Sequence, residues 1–446
     1  MLLEEHKKLA TQVVELVKSK GGETAVVRID FDTNREVSIR EQKIESLEQA
    51  GSKSLSLTVS KDKKRVTVSS NDFSNEAIKN LVKDAMDMVK YMGADEFYDL
   101  PEADELGKAA IDLKLFDNAE AEFSMEKRIE MAKNLEAHTI KQNKELIPNG
   151  ASVGSSSGHV VLANSRGFCD GYRYSVCSMS ANCAVSDSVD GLNSARKQSG
   201  GWYSVGRSFE NLDSIEKVAE TAARRTLDKR GARKPKTQVV PVIFENTTSR
   251  ALLSFLVSAI SGSNIYTKQS FLTDKLGQKI AGDNITIIED PLIPGQLGSR
   301  PFDAEGVMSK RKVVVDKGIL KTFLLDTYAA KKLKTKTTGN AGGVSNFYLE
   351  SGQYSLADLI KSIDNGVLVT SLSGFGEILQ TGDYSRGAQG FWIEKGKIAY
   401  AVNEFTIASN MYKILENIEM IGNDPLKTGS IYCPSLKVKE MTISGV

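Results

Sequence analysis

Apolar positions Leu9, Val13, Leu16 and Val17 share one face of a 3.6-residue repeat, and Gly21-Gly22 ends the helix they predict. Alternation of period two then takes over. AVVRID (25–30), EVSIR (36–40), KIESLE (43–48), SLSLTV (54–59) and RVTVSS (65–70) each read as a strand with short polar connections. Ser74 is placed to cap a helix running through Tyr91 that carries Ile78, Leu81, Val82 and Met88. DLPEADEL (99–106) reads as a linker, and a long charged helix is predicted over roughly 117–138.

From 150 to 206 the pattern is almost purely β. Tyr172, Tyr174 and Val176 alternate there with Gly171, Arg173 and Ser175, as in half-buried strands. A helix over 213–228 closes this part. VVPVIF (239–244) then opens a Gly-rich region of short strands and few helices. In RALLSFLVSAISG (250–262), Leu252, Leu253, Leu256, Val257 and Ile260 form the apolar stripe of a core helix. Near the end, Gly382, Gly387 and Gly390 suggest a tight bend before the strands FWIEKG and KIAYAV, whose EKGK corner is a hairpin signal. The fold class is therefore α+β: an N-terminal strand meander packed with helices, plus a mostly antiparallel β C-terminal domain. The expected divisions are 1–112, 113–230 and 231–446. Whether the last sheet closes or forms a sandwich is open.

The 446 residues carry a net charge of +1, with 26% charged and 40% apolar positions. That balance suits a soluble globular chain and argues against nucleic acid as the main ligand. KRGARKPKT (229–237) is accordingly read as a solvated interdomain linker. No run approaches the 18 apolar residues of a membrane span, and the acidic, amphipathic N-terminus is unlike a signal peptide. The four cysteines, Cys169, Cys177, Cys183 and Cys433, make no CxxC pair and are expected to be reduced thiols of a cytoplasmic protein.

Hydrolytic and metal chemistry is searched through histidine. His6 and His138 lie on predicted helices and His159 in GSSSGHVVL, which reads as a hairpin; none belongs to HExxH or to a His/Cys/Glu cluster. A Ser-His-Asp arrangement stays open, since its members need only meet in space, but no GxSxG elbow is present. No P-loop occurs, and GFGEIL is a weak dinucleotide signal. Three segments stand out, at 258–280, 290–307 and 379–392. GSRPFD pairs Arg300 with Asp303, and GDYSRG pairs Asp383 with Arg386. Such pairs pin tight loops by side-chain-to-backbone hydrogen bonds, or else contact a peptide or anion. Phe271, Arg300, Asp303, Asp383, Tyr384 and Arg386 are the candidate peptide-contact or cavity residues.

SFLTDKLGQKI (270–280), PGQLGSRPFDAEGV (294–307), KGILKTFLLDTYAAKKL (317–333), TTGNAGG (337–343), TGDYSRGAQGFWIEKGKIAYAVNEFTIASNM (381–411) and NIEMIGNDP (417–425) occur in one order over nearly all of 239–446. In these the chain resembles the TldD/PmbA family, once called modulators of DNA gyrase, and within it the PmbA (TldE) branch. NDFSNEAI (71–78), YDLPE (98–102) and VLANSRGF (161–168) fit more loosely. TldD-type members are zinc peptidases with an HExxxH helix and a distant metal-binding cysteine. The comparable stretch here, Arg250 to Phe255, reads R-A-L-L-S-F, and nothing marks Cys433 as the missing cysteine. The resemblance therefore implies a chain with no metal of its own and no catalytic residue. It implies a heterodimer with a TldD-like zinc subunit, with peptides as substrate, and no contact with membrane. A stand-alone non-metal peptidase homodimer, using Asp383, Tyr384 and Arg386, is the alternative. The DNA gyrase modulator role is another, against which the neutral charge speaks.

Overall fold

The computed structural model describes residues 2–187 and 197–446. Helix α1 (Leu2–Ser19) leads into strands β1 (Thr24–Arg40), β2 (Lys43–Lys61) and β3 (Lys64–Ser70), then helix α2 (Asn75–Met88). Helices α3 (Ala119–Glu122) and α4 (Met125–Lys141) precede β4 (Leu146–Asn164), β5 (Cys169–Ser186), β6 (Lys197–Gly206) and α5 (Ile215–Leu227). All six strands form one antiparallel sheet in the order β3-β2-β1-β4-β5-β6. Ser74, Ser124 and Ser214 start α2, α4 and α5, each hydroxyl accepting a backbone N–H of the first turn.

Helix α1 covers Ala25, Val27 and Ile29 of β1 with α2 beside it on β2 and β3, while α4 covers Val37 and Ile39 with α5 beside it on β5 and β6. These positions are all odd-numbered, so both helix pairs lie on one face of the sheet, one at each end. The opposite face receives the C-terminal part: Phe302 packs edge-on against Phe168 and Tyr172.

Several expectations change. The five short strands of the first domain are three, two of them long. Asp32–Arg35 is polar but pairs with β2 on one side and β4 on the other, and that double ladder carries β1 straight through. The helix expected over 117–138 breaks at Phe123-Ser124, where Phe123 stacks on Phe209 at 3.9 Å and Ser124 caps a new helix. Met88 is exposed, and Met86 takes its place in the core. In β5 the period of two holds, but the fully buried set includes Ser175, Cys177, Met179, Ala181 and Cys183, with Tyr172 and Tyr174 on the other face. His159 is buried mid-strand in β4, not at a hairpin.

The C-terminal part comprises β7 (Gln238–Phe244), α6 (Asn246–Ala259), α7 (Gly262–Tyr266), β8 (Ile287–Glu289), β9 (Lys312–Asp316), β10 (Ile319–Leu320), α8 (Thr327–Lys332), β11 (Phe347–Leu349) and α9 (Leu356–Lys361). It continues with β12 (Asn365–Ser373), β13 (Glu377–Ile378), β14 (Asp383–Glu394), β15 (Lys397–Asn410), α10 (Met411–Glu416), β16 (Ile418–Ile421), β17 (Ile431–Tyr432) and β18 (Leu436–Ser444). Strands β12-β7-β18-β15-β14 run side by side, and β14 pairs back onto β12, closing a barrel. Only the β12–β7 contact in that ring is parallel. A second sheet has the order β10-β9-β8-β11-β17. Helix α6 joins the two through Leu252, Leu253 and Leu256, within one core that also holds Val242, Phe347 and Ile407.

The closure explains glycines that the sequence suggests as a bend. Gly387 and Gly390 lie inside β14; a Cβ on Gly390 would sit 1.8 Å from the Leu368 carbonyl oxygen. They let β14 approach β12. The turn lies earlier, at Gly382. The EKGK hairpin is as expected, with Lys395 and Gly396 both at positive φ. Among the described residues no helix is long and apolar enough to cross a membrane.

Candidate functional site

Helix α6 starts directly at the end of β7. Glu245, at its N-terminus, takes a bidentate ion pair from Arg225 (2.8 and 2.8 Å) and a hydrogen bond from the Thr247 hydroxyl. Leu252, Leu253 and Leu256 face the core. On the other side Thr247, Arg250, Ala251, Ser254 and Ser258 recur at three- and four-residue spacing and line a groove of about 700 Å³. Phe255 lines it too. The opposite wall comes from the barrel: Thr370, Ser371 and Leu372 of β12, Phe375 at the following corner, Glu377 of β13, Leu379, and Arg386 of β14.

Arg386 and Glu377 form an ion pair at 2.5 Å, with side chains only 14% and 15% exposed. The Arg386 Nε is buried without a partner. Tyr384 lies opposite Glu377 in the strand register and is buried, and its hydroxyl also lacks a partner. Burial raises that phenol well above its ordinary pKa. Phe375 is 97% exposed, its ring centroid 5.4 Å from the Arg386 Cζ. Arg250 has one long contact, 3.5 Å to the Tyr203 hydroxyl, and no carboxylate partner among the described residues.

The side-chain-to-backbone bonds expected of Asp383 and Arg386 are not formed, and the two do not bond to each other. The two residues stand three apart on an extended strand, so their side chains leave opposite faces. Asp383 instead accepts from the Thr381 hydroxyl and the Asn410 amide, which hold its carboxyl below the usual range. Phe271 stacks near Phe255 at 6.0 Å, packs edge-on against Tyr412 and sits against Gly382, while its N–H donates to Leu379. Phe271, Tyr384 and Arg386 are thus gathered around the α6 groove, with Asp383 at its margin.

Arg300 and Asp303 lie elsewhere and bind backbone. Arg300 donates to the carbonyls of Gly343 (2.6 Å) and Gly339. Buried Asp303 accepts N–H groups from Glu305, Val307 and Ala341, at 2.9 to 3.0 Å. Together they tie 300–307 to 339–343. Burial raises the Asp303 carboxyl despite these bonds and lifts neighbouring Glu305 to about 7.

Glu377 is absent from the sequence reading, because its two-residue strand is too short to show as a pattern. The structure also joins His6 and His159, 153 residues apart: Nδ1 of one is 2.7 Å from Nε2 of the other, and Phe31 stacks on His159. His138 stays exposed, 3.9 Å from Glu216. A larger cleft, about 970 Å³, lies between 108–117 and β5, but its Arg207 is committed to the carbonyls of Ser175, Gln296 and Leu297.

The stretch where HExxxH would fall places Arg250, Ala251 and Phe255 on the groove: a guanidinium, a methyl and a phenyl. These do not fit a zinc ion. Among the described residues no group of three or more His, Cys, Asp or Glu side chains could hold a metal. Cys433 is fully buried, and burial pushes its thiol to about 12.

Three family descriptions match successive stretches of the chain: PmbA/TldA metallopeptidase domain 1 over 25–89, the central domain over 118–230 and the C-terminal domain over 237–445. The chain is 37% identical over 429 residues to Metalloprotease PmbA of Escherichia coli O157:H7, covering 96% of this chain and 93% of that protein. It is 35% identical over 445 residues to the Metalloprotease PmbA homolog of Haemophilus influenzae, covering 99% and 96%. The fold is similar to the crystal structure of a protein from Bacteroides thetaiotaomicron VPI-5482, provisionally named a modulator of DNA gyrase. The TM-score is 0.94 at 30% identity over all of both chains. It is also similar in fold to TldE from Thermococcus kodakarensis, with a TM-score of 0.87 at 24% identity over 98% of this chain and all of that one.

Proposed function

The chain belongs to the PmbA/TldD metallopeptidase family, and on that premise we propose that it is the non-metal subunit of a two-chain peptidase. It supplies scaffold and a peptide-binding groove, and a zinc-bearing TldD-like subunit supplies the hydrolytic centre. The observation that carries this reading is helix α6. The groove is intact where the zinc helix of a TldD-type member would lie, but Arg250, Ala251 and Phe255 line it in place of ligands. Strand β13 supports the peptide role, since it ends its strand path and is paired on one side only. An extended peptide can add at such an edge through main-chain hydrogen bonds, with little sequence preference. The four unpaired thiols suit a reducing compartment, which supports a cytoplasmic site of action.

The test is co-expression with an HExxxH-bearing family member from the same genome, followed by size-exclusion chromatography and metal analysis. The expected result is a mixed complex that carries zinc, with sub-stoichiometric zinc on this chain alone. Stoichiometric zinc on the isolated chain, or recovery of self-dimers only, would count against the proposal.

A further inference from the structure

The groove on α6 has an unbalanced set of polar groups. Its charged lining is Arg250, Glu377 and Arg386. Glu377 is already spent on Arg386 at 2.5 Å, so one guanidinium, that of Arg250, is in excess. Its 3.5 Å contact with Tyr203 is too long to occupy it, and a guanidinium offers five donors. Two buried groups beside the Glu377–Arg386 pair also lack a partner, the Tyr384 hydroxyl and the Arg386 Nε. Both atoms are shut away from the groove, and Tyr384 is not in its lining. The groove therefore has one guanidinium to give, that of Arg250, and its one carboxylate engaged. An ammonium group would find no free carboxylate there, whereas a carboxylate would find a counter-ion. The rest of the lining mixes Thr and Ser hydroxyls with an apolar wall of Phe255, Leu372, Phe375 and Leu379. Inorganic phosphate has nothing to place against that wall.

We propose that this groove captures the free C-terminal carboxylate of an extended peptide, with Arg250 as its counter-ion and the apolar wall receiving a hydrophobic last side chain. The inference rests on the peptide-groove reading above. It narrows that reading to substrates held by their C-terminal end.

The experiment is fluorescence polarisation on the full chain and on its mixed complex. The probes are a dye-labelled peptide ending in Leu-Phe and the same peptide as its C-terminal amide. The acid should bind roughly tenfold or more tightly than the amide, the usual reach of a charge-assisted hydrogen bond. Arg250→Gln should bring the acid down to the affinity of the amide and leave the amide unchanged. Its melting temperature should stay near wild type, because Arg250 makes no ion pair with any of the described residues. Millimolar inorganic phosphate should not displace the acid. Equal binding of acid and amide overturns the inference and leaves the peptide-groove reading standing, as does phosphate competition or an Arg250→Gln variant that weakens both probes alike. Failure of both probes to bind chain and complex overturns the two together.

Discussion

Glu377→Ala is the substitution that asks most of the structure. The Glu377–Arg386 pair is more than four-fifths buried on both sides. Removing the carboxylate leaves a guanidinium dehydrated, with Nη1 newly unpaired and Nε already so. Breaking a buried pair from one side costs about 3–5 kcal/mol. The groove admits some water, so the lower end, about 3 kcal/mol, is expected. Unfolding entropy is about 2 cal/mol/K per residue. The melting temperature should then fall by about 3 °C if the whole chain unfolds as one unit, and by about 7 °C if residues 237–445 unfold alone. The double variant Glu377→Leu with Arg386→Met removes both charges and fills the space with apolar groups, so it should recover most of the loss. Differential scanning calorimetry on the two singles and the double gives the cycle. A Glu377→Ala variant within about 0.5 kcal/mol of wild type would mean the pair behaves as a surface salt bridge. A double variant as unstable as the sum of the singles would mean the two residues are not coupled. Either result would refute the argument.

Two further predictions concern the scaffold. Burial holds the His6–His159 pair neutral, lowering His6 and bringing His159 to about 4, with Glu5 and Lys53 facing the first ring and Arg173 and Asp30 the second. The unfolded chain binds protons on both rings below about 6.5. The pair's contribution is therefore complete above that pH and lost as pH falls from about 6.5 towards 4. A loss on the order of 2 kcal/mol should appear in melts between pH 7.5 and 5, and replacing the pair by Leu and Phe should flatten it; an unchanged slope would count against the pair. Gly390→Ala should destabilise the barrel by about 2 kcal/mol or more, because its methyl would meet the Leu368 carbonyl oxygen. Urea denaturation checks this, and a wild-type midpoint would show that β12 and β14 do not close as described.

What the sequence discloses is what is local. The Ser74 cap, the apolar stripe of α6 and the EKGK hairpin are all short-range signals, and each appears where it is read. The stripe also places Arg250 and Ser254 on the free side of the helix. Long-range features are not legible in the same way. Gly387 and Gly390 read as flexible, and only the pairing of β14 onto β12 shows that they serve close approach. His6 and His159 look like isolated side chains until β4 carries one beneath the helix that bears the other. The partner of Arg386 is Glu377 and not Asp383, because an extended strand turns residues three apart to opposite faces. Phe271 packs behind the groove on Phe255 and Gly382, contacts that neither segment announces. Arg300 and Asp303, by contrast, bind backbone much as their spacing suggests.

The two-chain peptidase stands or falls on peptide hydrolysis measured three ways: this chain alone, its zinc-bearing partner alone, and the two mixed. Turnover on mixing should be well above the sum of the separate chains, with none from this chain alone. Cleavage by the isolated chain, or an activity of the partner that mixing does not change, would contradict it.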